Sequence, residues 1–338
     1  MVLTLPMLAA LRRCFPSAHI AVLLRRYTSG IVEGNPHVDE LVWYDRGGEP
    51  VPFAEMARTL RSGAFDAVVV VYPTFRLAAL MALARIPVRV GTGYRSYSLL
   101  FNRRVYEHRK DARRHELEYN LRLLTELGCN ATGPPEFTIA VPRQARERAE
   151  AVLRSVGVDP GRPYAVLHPG SGGSARDWPS DRFAELAAHL AAGRGLQVVV
   201  TGSGAESPLA TGVVQGSGRG AVSVAGMLTV QELAAVLDGA AVFVSNSTGP
   251  LHLAVAMGTP VVGLYPPHPA MSKKRWGPYC GTNRVLVPDR PADCEDCVKR
   301  PDIRCACMDS ISVDAVASAV TELLAETAGR DAARAGHG

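Results

Sequence analysis

Short β-rich runs alternate with helical stretches along almost the whole chain, and few folds accept that pattern. In the first half the runs are HIAVLL (19–24), VDELVWY (38–44), FDAVVVVY (65–72) and VRVG (88–91). In the second half they are YAVLH (164–168), LQVVVT (196–201), AVSVA (221–225), AVFVS (241–245) and PVVGLY (260–265). Helical patterns separate them, among them 180–192, TVQELAAVL (229–237) and LHLAVAM (251–257). Strand and helix in strict succession imply βαβ units and a parallel sheet. The pattern runs twice, and 338 residues exceed what one hydrophobic core usually fills. Two doubly wound α/β domains are therefore expected.

The first half closes on RHELEYNLRLLTELG, whose Leu117, Asn120, Leu121, Leu124 and Leu127 keep helical spacing up to a C-capping Gly128. A stretch rich in turn formers at both ends follows, so the boundary is expected near 158: residues 1–157, then 158–326. Thr229 and Glu232 form a capping box at the start of one helix. The final residues, 327–338, show no apolar face and are expected to fray.

In open parallel sheets, ligands sit at the carboxyl ends of strands, so the loops after strands carry the chemistry. Two stand out. HPGSGGSARDWP (168–179) offers Gly170, Gly172 and Gly173 for close backbone approach, Ser171 and Ser174 as hydroxyl donors, and Arg176 as a forked cation. SNSTGPLHL (245–253) leads from a buried strand through Ser247, Thr248 and Gly249 into a helix whose first N–H groups and dipole suit an anion. Pro250 costs no hydrogen bond in that first turn, and His252 leans back over it. Taken singly, a glycine-rich loop reads equally as a tight turn, and a histidine there as a satisfied structural residue. Two such loops in one sheet point to a phosphate-bearing ligand.

These residues carry a resemblance. HPGSGGSARDWPSDRFAELAAHL and AVFVSNSTGPLHLAVAMGTPVVGLYPP, with MVLTLPMLAALRRCFPSAHI at the start and HELEYNLRLLTELG at 115–128, resemble bacterial glycosyltransferase family 9 over nearly the whole chain. The best-known members of that family are lipopolysaccharide heptosyltransferases. The resemblance implies a GT-B fold: two Rossmann-like domains facing a cleft, an acceptor-binding amino-terminal domain and a nucleotide-sugar-binding carboxyl-terminal one. It implies inverting transfer of a sugar, heptose from ADP-heptose, to a lipopolysaccharide-like or other glycolipid acceptor, with no metal or other cofactor required. No Asp-x-Asp pair occurs in the chain, which agrees. By motif match, Ser171, Gly172, Thr248, Gly249 and His252 would hold the diphosphate, Gly170 and Ser247 would belong to the same donor-binding loops, Glu206 would contact the ribose, and Arg176 would stabilise the leaving group.

Three positions depart from the family pattern. Ser247 stands where Asp is commonest, and Arg176 where characterised heptosyltransferases have Lys. Family members also begin with a β-strand and a Gly-Asp loop, whose Asp is the catalytic base, just before the segment matching MVLTLP. The general base is thus expected upstream of Met1, with that methionine internal to a longer frame. A chain without it would leave open strand edges in the first domain and act as a catalytically impaired nucleotide-sugar-binding module. A sugar-nucleotide epimerase is the remaining alternative, but the acid–base carboxylates and histidines it needs are not evident.

The segment 102–118 concentrates Arg103, Arg104, Arg109 and Arg113, which suits acceptor phosphates or an anionic leaflet, or a solvated face. No run approaches the ~18 apolar residues of a membrane span, and the first residues lack the order of a secretory signal. A cytoplasmic protein is expected, with peripheral contact at the inner membrane. The net charge of +5 carries no nucleic-acid motif with it. Of seven cysteines, Cys14 and Cys129 read as core thiols of a reducing compartment. Cys294, Cys297, Cys305 and Cys307 have thiolate spacing compatible with a structural zinc, a clip, or simply reduced thiols.

Overall fold

A computed structural model describes residues 1–289 and 306–335. The chain divides into two compact units, Met1–Ala140 and the residues from Val141 onward.

The first unit contains α1 (Leu5–Cys14), β1 (Ala21–Leu24), β2 (Glu40–Trp43), the antiparallel pair β3 (Asp45–Arg46) and β4 (Glu49–Pro50), and α2 (Phe53–Ser62). It continues through β5 (Ala67–Val69), α3 (Phe75–Leu83), β6 (Val88–Thr92), β7 (Arg103–Val105) and α4 (Glu116–Arg122). The parallel strands form two ladders, β1–β2 and β5–β6–β7, and among the described residues no ladder bond joins them. Among the described residues β1 is paired only with β2, and β5 only with β6. The expected closing helix is α4 continued by a 3-10 turn over Leu123–Leu127, and Gly128 ends it at φ +75° in the left-handed region, where glycine is unpenalised.

One expectation fails here. Cys14 and Cys129 are not separate thiols: they are joined in a disulfide that links the end of α1 to the residue after Gly128. Both sulfurs belong to one apolar cluster with Met7, Ala10, Val90 and Leu124. That packing brings together two residues 115 apart in sequence, which no local pattern discloses.

The second unit is built on a six-stranded parallel sheet of order β10-β9-β8-β11-β12-β13, from β8 (Tyr164–His168), β9 (Gln197–Val200), β10 (Val222–Ser223), β11 (Val242–Asn246), β12 (Val261–Leu264) and β13 (Asn283–Leu286). Every residue of β8, β11 and β12 is buried, as a parallel sheet covered on both faces requires. The helices are α5 (Arg143–Ser155), α6 (Ser180–Arg194), α7 (Ser207–Gly216), α8 (Val230–Asp238), α9 (Gly249–Met257), α10 (Lys273–Trp276) and α11 (Val313–Ala335). α6 buries Phe183, Leu186, Ala187 and Leu190, one stripe at helical spacing, against the same core as Val316, Val320 and Leu323 of α11.

The expected boundaries shift in two places. α5 lies before the anticipated boundary at 157/158 yet packs on α8: Arg148 Nε donates to Glu232 Oε1 at 2.8 Å, and Arg146 pairs with Asp238. Its mainly charged sequence hides the Ala145, Ala149 and Leu153 stripe that fixes it there. The anticipated frayed tail from 327 is helical to Ala335, because it continues a helix already docked through its first half. Among the described residues no helix is long and apolar enough to cross a membrane.

Candidate functional site

Strand order identifies where a ligand can sit. From β8 the chain winds outward through β9 and β10, then returns to place β11 on the other side of β8 and winds the opposite way to β13. The loops after β8 and β11 therefore diverge at their carboxyl ends, opening the crevice that binds ligands in doubly wound sheets. They are the two loops distinguished by sequence.

Asn246, fully buried at the end of β11, fastens one loop to the other. Its Nδ2 donates to the Pro169 carbonyl at 2.6 Å, and its Oδ1 accepts from the Trp178 N–H at 2.8 Å. Trp178 anchors the far end of the first loop, with its indole N–H on the Ile311 carbonyl at 2.9 Å and its ring edge-on to Phe183. Between these anchors Gly172 and Gly173 take φ of +56° and +78°, so the double glycine is conformationally required. Ser174 Oγ reaches the Ser171 carbonyl at 2.7 Å and the Ser247 carbonyl at 3.4 Å.

Glu206 enters from the loop after β9. Its Oε1 accepts from Gly172 N at 3.2 Å, and its Oε2 accepts from the Ser203 N–H and hydroxyl, both at 2.8 Å. Gly170 must be small: a Cβ there would lie 2.1 Å from Glu206 Oε1. Partial burial raises the Glu206 pKa, but the Ser203 hydrogen bonds, the nearby His168 and the Gly172 N–H outweigh it and hold the carboxyl below its ordinary range. His168, buried beneath the loop with Nδ1 3.0 Å from Thr201 Oγ1, is pushed down to about 4 by burial, opposed by Glu206. It is neutral at physiological pH.

Sequence reasoning passed over Asp177, although it lies inside the quoted loop. Burial, with Glu206 adding to it, pushes its carboxyl up to about 6 against the Ser171 hydrogen bond and Arg176. Arg176 itself is buried. Asn246, His168 and Thr201 were missed as well, and only the polarity of a strand's last residue hinted at them.

On the other side, Thr248 is the N-cap of α9 with extended backbone, and its side chain makes no capping hydrogen bond. Pro250 lies in the first turn, as expected. Ser247 is hydrogen-bonded to the Tyr265 hydroxyl, which donates to the Trp276 carbonyl at 2.7 Å. His252 is buried, its ring 6.5 Å from that of Trp276.

Thus Gly170, Ser171, Gly172, Arg176, Glu206, Ser247 and Thr248 fall in segments that follow the strands, and Gly249 and His252 in the first turn of α9, all at one end of one sheet. The arginines of the 102–118 segment belong to the other unit and do not act as a block. Arg109 is held by Glu116 and by Asn120 Oδ1 at 3.2 Å, and Arg104 Nε donates to the Phe101 carbonyl at 2.8 Å. Arg103 is exposed, and Arg113 lies 3.5 Å from Asp111. Cys294, Cys297 and Cys305 lie outside the described residues, and Cys307 is buried. Among the described residues no cluster of three metal-ligating side chains occurs.

Comparison with known proteins agrees with this geometry. Residues 53–305 match the model for glycosyltransferase family 9 (heptosyltransferase). Lipopolysaccharide heptosyltransferase 3 of Escherichia coli is 28% identical over 274 residues, 78% of this chain and 79% of that protein. The crystal structure of a family 9 glycosyl transferase from Veillonella parvula superposes with a TM-score of 0.82 at 24% identity, over 96% of this chain and 93% of that one. The E. coli ADP-heptose lipopolysaccharide heptosyltransferase II gives 0.76 at 20%, over 97% and 96%. With both switch-point loops inside a family match of about three quarters of its length, and with the GT-B fold of these neighbours, the chain belongs to glycosyltransferase family 9.

Proposed function

We propose that the protein transfers heptose from ADP-heptose, with inversion, to a lipopolysaccharide-like glycolipid at the cytoplasmic face of the inner membrane. The observation that carries this reading is the interlock at the switch point, where the loops after β8, β9 and β11 meet. Gly173 and the start of α9 offer N–H groups to a diphosphate while the Gly172 N–H holds Glu206 beside them, and Glu206, already shaped into an acceptor site, takes the ribose hydroxyls. Negative charge grows on the departing ADP as the glycosidic bond breaks. Fixed donors and Arg176 stabilise that charge more than they stabilise the bound donor. The Ser247 hydroxyl, turned to Tyr265, supports the loop without adding charge. The first unit holds the acceptor, and the general base belongs to the acceptor side of the reaction.

The test is incubation with ADP-heptose and a deep-rough glycolipid. Transfer is expected; ADP-heptose binding without transfer would identify a nucleotide-sugar-binding module instead. Within the active enzyme, Arg176→Ala should lower kcat by about a hundredfold while changing ADP affinity far less. Unchanged kcat with a raised KM would remove Arg176 from the leaving-group role.

A further inference from the structure

The strand ends of the first unit carry aromatic rings that its core does not absorb. Tyr72 follows β5, Tyr94 follows β6 and Tyr106 follows β7, and these side chains are 82%, 44% and 60% exposed. Parallel register, with Val69 beside Val90 and Thr92 beside Val105, brings the three carboxyl ends to one edge of the sheet. Ligands of parallel sheets bind at that edge.

The rings are pinned rather than loose. Tyr106 lies across Gly93, where a Cβ would stand 2.4 Å from the ring. Tyr94 meets Tyr106 edge-on at 5.6 Å and stacks on His108 at 3.7 Å, with 26° between the planes. Tyr94, Tyr106 and the exposed His108, held against one another, form a preorganised apolar surface with polar tips.

Charge surrounds it. Residues 94–114 hold seven arginines and lysines against two acidic residues, a net of +5. The whole chain has 37 against 32, also +5, so the other 317 residues are neutral overall. Exposed Arg103 opens β7, which Tyr106 follows directly, and Arg113 comes shortly after His108.

We infer that Tyr94, Tyr106 and His108 form a stacking platform for one sugar ring of a phosphorylated saccharide, with Arg103 and Arg113 meeting its phosphates. The inference rests on the acceptor role proposed for the first unit and specifies its chemistry. One face of a pyranose presents polarised C–H groups, which suit the negative face of an aromatic ring, while its hydroxyls reach the phenol and imidazole tips. A bilayer is less well matched, because the trio contains no aliphatic side chain and its rings pack on one another.

The test titrates the full-length protein with fully deacylated deep-rough lipopolysaccharide, stripped of both ester- and amide-linked chains, which retains sugars and phosphates but has no lipid to form a bilayer. Binding is read by calorimetry and saturation-transfer NMR, so turnover is not required. Tyr94→Leu or Tyr106→Leu should weaken binding about tenfold, while Tyr94→Phe and Tyr106→Phe remain within about twofold. ADP affinity, read in parallel, should stay unchanged and certifies the fold of each variant. Equal binding by the Leu and Phe variants, or no binding by the unmodified protein, would overturn the platform. So would Leu variants that bind the saccharide normally but lose affinity for phosphatidylglycerol vesicles, which would assign the surface to the membrane. Saccharide binding without heptose transfer leaves the platform standing and removes the transfer reading alone.

Discussion

Replacing Gly170 with alanine tests whether the loops after β8 and β9 are mechanically coupled. Gly170 is not among the residues with positive φ, so its backbone accepts alanine without strain. The obstacle is one side chain: the new Cβ would lie 2.1 Å from Glu206 Oε1 and 2.6 Å from Cδ, so the carboxylate must retreat by about 1 Å to reach ordinary contact. Retreat breaks the 3.2 Å bond from Gly172 N first and then strains the two 2.8 Å bonds from Ser203. Hydrogen bonds to a charged group contribute about 1.5–3 kcal/mol each, less where solvent reaches them, so the loss should be about 2–3 kcal/mol. In a Glu206→Ala background the same glycine change should cost under about 0.5 kcal/mol, giving a coupling of about 2 kcal/mol in a double-mutant cycle. Urea unfolding followed through tryptophan fluorescence measures the stabilities, and calorimetry with ADP measures the consequence for binding. An alanine equally costly with and without Glu206 would refute the coupling.

Asn246→Ala should destabilise the second unit by about 2–5 kcal/mol, because it strands the buried Pro169 carbonyl and Trp178 N–H; a loss below about 1 kcal/mol in urea unfolding would contradict the clamp. The pH dependence of stability should show two opposed contributions. His168 has its pKa depressed from 6.5 to about 4, so its contribution is full above pH 6.5 and is lost as pH falls toward 4, and His168→Gln should flatten that acid limb. Asp177, raised from 3.8 to about 6, destabilises increasingly as pH rises from 3.8 through 6, so Asp177→Asn should stabilise at pH 7 and leave pH 3 unchanged. Stability curves of opposite slope would refute either sign. Reducing Cys14–Cys129, which spans 115 residues, should lower the stability of the first unit by about 4–5 kcal/mol and leave the second unit's transition in place, as differential scanning calorimetry with and without reductant can show.

Strands β1, β2, β5, β6 and β8 to β12 and the two switch-point loops were legible because each rests on local chemistry, whereas the short β3 and β4 and the arginine-bearing β7 and β13 were not. Val, Ile and Leu runs make buried strands, Thr229 and Glu232 form their capping box, and glycines mark φ values that other residues avoid. Long-range placement was not legible. Nothing local to Cys14 announces Cys129, and nothing in the charged face of α5 announces Glu232 and Asp238. α7 went unread because Ser207, Pro208, Gly212 and Gly216 look like loop residues, although Pro208 sits harmlessly in the first turn. Asp177 and Asn246 were visible as letters, but their roles depend on what surrounds them: burial for the first, two partners on a distant loop for the second.

The adjacency of β8 and β11 also bears on how the binding site comes into being. These neighbouring strands are separated in sequence by two other strands and three helices, so their pairing is a late, non-local event that must close a long loop before contacts repay it. The loops at 169–178 and 246–252 acquire their mutual geometry only when that pairing forms. Nascent chain that has not yet delivered β11 can hold helices and local ladders but not the proposed donor pocket. If the proposed donor site is right, nucleotide binding reports that β11 has joined β8, and a ligand present during refolding acts on chains that have made that pairing and not on their precursors.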